Sequence, residues 1–213
     1  MTLTGSTVDQ SRRPAVLLDR DGTLTEHRHY PAHPDELLLQ PDIGAPLRTL
    51  QKEDFALVVV TNQSGVARGL FDATTLDAMH DRLRVLLDRQ GVRLDAIYAC
   101  PHHPEGAVSR YRFVCHCRKP APGMLLQAAR DLDLDLTRSW MVGDSPCDVE
   151  AGYRAGTRTA RVGVGLDGRA DADVTGATTS EVLRHVVGAQ RGAVRGRRYL
   201  PLSVGQAADV TFR

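Results

Sequence analysis

The stretch "AVLLDRDGTLTE", residues 15 to 26, sets the strongest limit on how this chain can fold. A short apolar run closed by turn residues reads as a buried strand, and here two aspartates, a glycine and a threonine follow it at once. Side chains alternate along an extended backbone, so Asp19 and Asp21 point the same way, while Gly22 lets the chain turn off the strand end. Two carboxylates in one small space call for a cation, and hard oxygen ligands with room for water suit magnesium. Taken alone, the same residues would also serve as a capped aspartate-glycine turn.

The segment has counterparts further along. "FALVVVTNQSG", residues 55 to 65, is a second buried strand ending in polar groups, among them Thr61, Asn62 and Ser64. "SWMVGDSPCDVEAG", residues 139 to 152, is a third, in which Met141 and Val142 lead to Gly143, Asp144 and Asp148. Between them lie stretches of helical period. Residues 72 to 90 place Leu76, Met79, Leu83 and Leu86 or Leu87 on one face, and residues 122 to 133 repeat the pattern. Alternating strands and helices predict an α/β protein, a Rossmann-like three-layer parallel sheet with helices on both faces, whose polar strand ends meet in one crevice. A chain of 213 residues is enough for one such domain. A last strand at "TRTARVGVG", residues 157 to 165, and a short helix near residues 180 to 187 complete the expected elements.

Three of the four cysteines fall in "CPHHPEGAVSRYRFVCHCRKP", residues 100 to 120. The polar opening of the chain lacks a signal-peptide core, and no run approaches the roughly 18 apolar residues of a membrane span, so a cytoplasmic protein with reduced thiols is expected. Clustered cysteines then favour metal over disulfide. Cys100 and His102 make one ligand pair, Cys115 and Cys117 another, and the residues between can fold back to form a closed tetrahedral zinc set. His103 or His116 could stand in for His102. Four protein ligands leave no open position, so the zinc reads as structural, and Cys147, in another segment, reads as a packed residue. The formal charge of +1 gives no general support for nucleic-acid binding.

Four ordered motifs now stand together: "DRDGT", the threonine after the second strand, a lysine ahead of a helix, and "GDSPCD". In this the chain resembles the haloacid dehalogenase superfamily. "DRDGTL", "VVVTNQSGVARG", "CPHHPEG", "CHCRKPAPGML" and "MVGD" resemble its D-glycero-D-manno-heptose 1,7-bisphosphate phosphatases, over about residues 15 to 165. The resemblance implies a haloacid dehalogenase fold without a large cap domain and a magnesium-dependent removal of the 7-phosphate in nucleotide-activated heptose biosynthesis. It implies Asp19 as nucleophile and Asp21 as acid and base, the latter protonated near neutral pH. Magnesium would be held by Asp19, the Asp21 carbonyl and Asp144, with Thr61 and Lys119 on the phosphoryl oxygens. Lys119 and Lys52 are the only lysines among 27 basic residues. The zinc loop ends one residue before Arg118, so the metal would aim Arg118 and Lys119.

The family's substrate segment corresponds to His27, Arg28, His29 and Tyr30. Arg20, Asn62, Gln63, Ser64 and Ser145 are further substrate contacts on this reading, and Arg68 and Arg118 could receive a second phosphate through forked hydrogen bonds. One departure is Ser145, where familiar members carry lysine. Histidinol-phosphate phosphatase, which shares the aspartates, the zinc loop and "CRKP", is the nearest alternative; a non-catalytic zinc-stapled binding module is a second. The expected organisation is a flexible segment at 1–14, the phosphatase domain at 15–188 with its zinc loop at 100–117, and a flexible basic tail at 189–213. The expected partner is a small sugar phosphate, with no nucleic acid or membrane, and the protein is expected to be a monomer.

Overall fold

The structure, a computed structural model, describes residues 12–28, 30–163 and 172–194, the last five for their backbone alone. Six strands form one sheet: β1 (Ala15–Leu18), β2 (Ala56–Asn62), β3 (Ala96–Cys100), β4 (Trp140–Gly143), β5 (Arg158–Val162) and β6 (Val174–Gly176). Their spatial order is β3-β2-β1-β4-β5-β6, and all five pairings are parallel. The order reverses direction between β1 and β4. In an open parallel sheet the two connections leave that point on opposite faces and open a crevice at the carboxyl ends of the strands.

Six helices pack on the sheet: α1 (Gly44–Lys52), α2 (Gly65–Arg68), α3 (Ala73–Asp88), α4 (Gly123–Asp131), α5 (Pro146–Ala155) and α6 (Thr179–Val194). Strand alternation divides the core in two. Val16, Leu18, Leu57, Val59 and Val142 meet Leu47 and Leu50 of α1, Met79, Leu83 and Leu87 of α3, and Leu183 and Val186 of α6. Ala15, Leu17, Val58, Val60 and Met141 face the other way, onto Met124, Leu125 and Ala128 of α4 and Ala151 of α5. The three-layer expectation holds. Among the described residues no helix is long and apolar enough to cross a membrane.

The edges differ from expectation. The strand expected last is β5, and β6 lies outside it, paired through Ala160 with Val174 and Val162 with Gly176. β3 is half-exposed along most of its length, which blurs the apolar signal by which its neighbours are found. The final helix continues to Val194, seven residues beyond the expected end and into the segment read as tail; residues beyond it lie outside the description. Residues 12–14, assigned to a flexible start, are tied down. Arg13 bonds the Asp54 and Phe55 carbonyls and the Asp95 carboxylate, and Arg12 pairs with Asp133.

Candidate active site

Asp19 leaves the end of β1, and its backbone N–H donates to the Val142 carbonyl of β4. Its carboxylate, with those of Asp144 and Asp148 beyond β4, offers three ligand oxygens within 4.8 Å of one another. Two glycines make this convergence possible. Gly22 has φ +81°, and a Cβ there would collide with the Asp144 carboxylate; a Cβ on Gly143 would collide with Asp148. Hard anionic oxygens at a partly open strand end fit a magnesium ion.

Lys119 enters this group from the far side. Its Nζ donates to Asp19 Oδ1 at 2.8 Å and to the Val60 carbonyl at 2.7 Å, and it is ion-paired with Asp148 Oδ1 at 2.6 Å. Burial alone would lower the lysine, but Asp19 and Asp148 outweigh it and hold the ammonium above its ordinary value. Burial raises Asp19 to about 6, opposed chiefly by Lys119 and assisted by Asp148. Asp144 is raised by burial and then by Asp19. Asp148 joins the site without a role expected of it; its position four residues after Asp144, on the first turn of α5, is the sequence signal for it.

Asp21 corrects an expectation. Burial pushes its carboxyl up, yet the Arg20 charge and hydrogen bonds from Arg20, Gln63 and Thr25 prevail and hold it below its usual value. The group expected to be protonated is thus held as a carboxylate in this state. Arg20 is corrected with it. The side chain is fully buried, and its fork grips Asp21 through Nε at 3.0 Å and Nη2 at 2.8 Å, so it does not face substrate.

A cleft of about 260 Å³ opens beside Asp21, lined in part by His27, Arg28, Tyr30, Asn62, Gln63 and Ser64. His27 Nδ1 lies 3.9 Å from Asp144, which joins the cleft to the carboxylates. His29 lies outside the described residues. Arg68 stands over the Tyr30 ring at 5.8 Å and meets His103 Nε2 at 3.2 Å. Arg118 donates to the His102 carbonyl at 3.4 Å.

Several expected contacts have other duties. Asn62 accepts from the Lys119 N–H and donates to the Lys119 carbonyl, both at 3.0 Å, and so pins that backbone. Ser145 caps α5: its hydroxyl accepts from the Cys147 N–H at 3.3 Å, and its own N–H donates to Asp148 Oδ2 at 3.0 Å. That capping box, worth about 1 kcal/mol, explains the serine without substrate. Gln63 spends its amide on Arg20, Asp21 and Thr61. Thr61, near the end of β2, is buried.

On the neighbouring loop, Cys100, His102, Cys115 and Cys117 offer ligand atoms within 4.8 Å of one another. Sulfur-to-sulfur separations run from 3.1 to 3.5 Å, and His102 Nδ1 lies 3.2 Å from Cys117 Sγ. Three thiols and one imidazole at tetrahedral spacing fit zinc. Of the alternative ligands, His103 accepts from the Glu105 N–H, and His116 is exposed. Cys147 stands apart from the cluster, against Ser145.

Known proteins are similar to this chain in sequence and in fold. A HAD-hydrolase-like family model matches residues 116–189. The D-glycero-beta-D-manno-heptose-1,7-bisphosphate 7-phosphatase of Rhodopseudomonas palustris is 43% identical over 150 residues, 70% of this chain and 83% of that protein. The Escherichia coli K12 enzyme of the same name is 44% identical over 146 residues, 68% and 76% of the two chains. The D,D-heptose 1,7-bisphosphate phosphatase of B. bronchiseptica, solved with magnesium and phosphate, superposes with a TM-score of 0.71 at 34% identity, covering 83% of this chain and 99% of that one. With the carboxylates, the lysine and the cysteine loop on one strand-end crevice, this similarity means that the chain belongs to the heptose-1,7-bisphosphate phosphatase family of HAD-like hydrolases.

Proposed function

We propose that the protein removes the 7-phosphate of D-glycero-D-manno-heptose 1,7-bisphosphate through an aspartyl phosphate. The observation that carries the reading is the buried contact of Asp19 with Lys119, beside Asp144, whose carboxylate lies 3.9 Å from His27 of the cleft that Arg28 and Tyr30 also line. Asp19 would attack phosphorus as the bond to the sugar oxygen breaks, and Asp21 would protonate that oxygen. In the second half Asp21 would take a proton from water as the water displaces the aspartyl oxygen and releases phosphate. The negative charge of the entering phosphate would add to the upward push of burial on Asp21, which Arg20, Gln63 and Thr25 outweigh in the resting site.

Asp19, Asp144 and the Asp21 carbonyl would hold magnesium, which when bound supplies positive charge to the phosphoryl oxygens. Lys119 and Thr61 would meet the same oxygens. Arg68 and Arg118, both near His103, would take the second phosphate. The cysteine cluster would hold structural zinc and so fix the exit of the loop toward Lys119. A small sugar phosphate is the substrate class, and the names of the matched relatives favour heptose bisphosphate over histidinol phosphate.

The test is phosphate release with magnesium from the α and β anomers of heptose 1,7-bisphosphate and from histidinol phosphate, with Asp19→Asn as blank. A higher kcat/KM for a heptose bisphosphate is expected. A preference for histidinol phosphate would overturn the substrate, and activity surviving in Asp19→Asn would overturn the nucleophile.

A further inference from the structure

We propose that Gln63 is a positioning residue: oriented by Arg20, its amide fixes both the direction of the Thr61 hydroxyl hydrogen and the plane of the Asp21 carboxylate. The inference rests on the phosphatase reading and deepens it. Arg20 carries only donors. Its Nη2 lies 2.8 Å from Gln63 Oε1, so the amide oxygen must face the guanidinium and the NH2 group must face away. The two amide hydrogens are then assigned. One goes to Asp21 Oδ2 at 2.8 Å, and the other to Thr61 Oγ1 at 2.9 Å.

The consequence for Thr61 is one of polarity. A hydroxyl that accepts from a donor-only NH2 group cannot return its hydrogen there, so that hydrogen is left for an acceptor entering the crevice. A phosphoryl oxygen is such an acceptor. The Arg20–Gln63 and Gln63–Thr61 bonds are buried, with Arg20 fully buried and Gln63 only 4% exposed, so the donor is set before substrate arrives. The same network holds Asp21. Arg20 Nε and Thr25 Oγ1 reach Oδ1 at 3.0 and 3.3 Å, while Arg20 Nη2 and Gln63 reach Oδ2, so the carboxylate cannot rotate without breaking several bonds together.

Gln63→Glu and Gln63→Leu, each alone and combined with Thr61→Val, test the proposal. An ionised glutamate keeps the shape but accepts where glutamine donates, so it draws the Thr61 hydrogen to itself and away from the crevice, and it sets a carboxylate against Asp21. Gln63→Glu is expected to lower kcat by about a hundredfold, the loss from removing one oxyanion donor, with KM changed far less. Gln63→Leu removes the bonds without reversing them and should cost less than Gln63→Glu. In the Thr61→Val background each Gln63 change should lose the share of its effect that passes through Thr61 and keep the share that passes through Asp21, so the separate losses combine to less than their product.

Inorganic phosphate binding, measured calorimetrically with magnesium, should weaken alike in Gln63→Glu and Thr61→Val. The proposal is overturned if Gln63→Glu matches wild type, or if the separate losses multiply in the double variants. Should Gln63→Glu fail to fold by thermal denaturation, the Gln63→Leu cycle decides by the same criterion. Wild-type protein that neither releases nor binds phosphate would instead overturn the functional reading.

Discussion

Replacing Lys119 with methionine should cost this protein stability in a way that depends on pH. The lysine is 3% exposed and neutralises two carboxylates that are themselves 8% and 1% exposed, Asp19 and Asp148. Methionine fills much of the volume but leaves both charges in the core. Removing one partner of a buried ion pair costs about 3–5 kcal/mol, and for a domain of this size each kcal/mol moves Tm by roughly 2–4 °C. The expected fall is therefore about 6–20 °C near neutral pH without divalent cation.

The sign of the pH dependence follows from Asp19, whose pKa rises from 3.8 unfolded to about 6 folded. A raised carboxyl binds its proton more tightly in the folded state, so its contribution is favourable at low pH and is lost as pH rises through that window. Without Lys119 the main influence lowering Asp19 is gone and the window extends upward. Thermal scans of both proteins in chelator should thus show a smaller penalty at about pH 5 than at neutrality. A penalty of equal size at both values, or a fall under about 2 °C, would show that the carboxylates do not depend on this ammonium.

The remaining predictions concern the two metal positions. Cys115→Ser should reduce bound zinc, measured by atomic emission, and raise KM more than it lowers kcat, since the loop carries Arg118 and the Lys119 backbone; wild-type kinetics in zinc-free protein would refute this. Cooperative unfolding should persist in that variant, because the core cluster that Cys100 joins is built from strand and helix side chains, Leu17, Val60 and Leu125 among them. Gly22→Ala puts a Cβ onto the Asp144 carboxylate at a left-handed φ. It should raise the magnesium concentration needed for half-maximal activity by about tenfold or more, and an unchanged requirement would show that Asp144 moves freely.

Much of this arrangement was legible in the chain because the central strands are buried on both faces. β1, β2 and β4 read as continuous apolar runs, and their ends therefore located Asp19, Thr61 and Asp144. β3 and β6 lie at the sheet edges, where partial exposure removes that signal. The cysteine cluster was legible from spacing and residue type alone. What the sequence hid is side-chain direction away from regular structure. Arg20 sits between two site aspartates and so turns to the opposite side, yet its length lets it reach back to Asp21 from within the core. Asn62, Gln63 and Ser145 adjoin motif residues, but their polar atoms serve the backbone, the network and the helix cap. Adjacency in a motif does not distinguish a group that touches substrate from one that holds its neighbour.

The charges of the crevice explain why these supports are needed. Among the described residues, Asp19, Asp21, Asp144 and Asp148 have Arg20 and Lys119 as their buried cations, a formal excess of two negative charges. A phosphate dianion would be repelled by that excess, and one divalent cation balances it without adding a side chain to the core. Lys119 alone does not offset the excess, because its single charge is already set against two carboxylates, Asp19 and Asp148. Its place is held from two directions: Asn62 fixes its backbone from β2, and the cysteine loop fixes the chain that leads to it. A shift of that backbone would move the cation relative to two carboxylates at once. On the proposed reading, the loop on which zinc would sit would act on the chemistry through the position of one buried lysine.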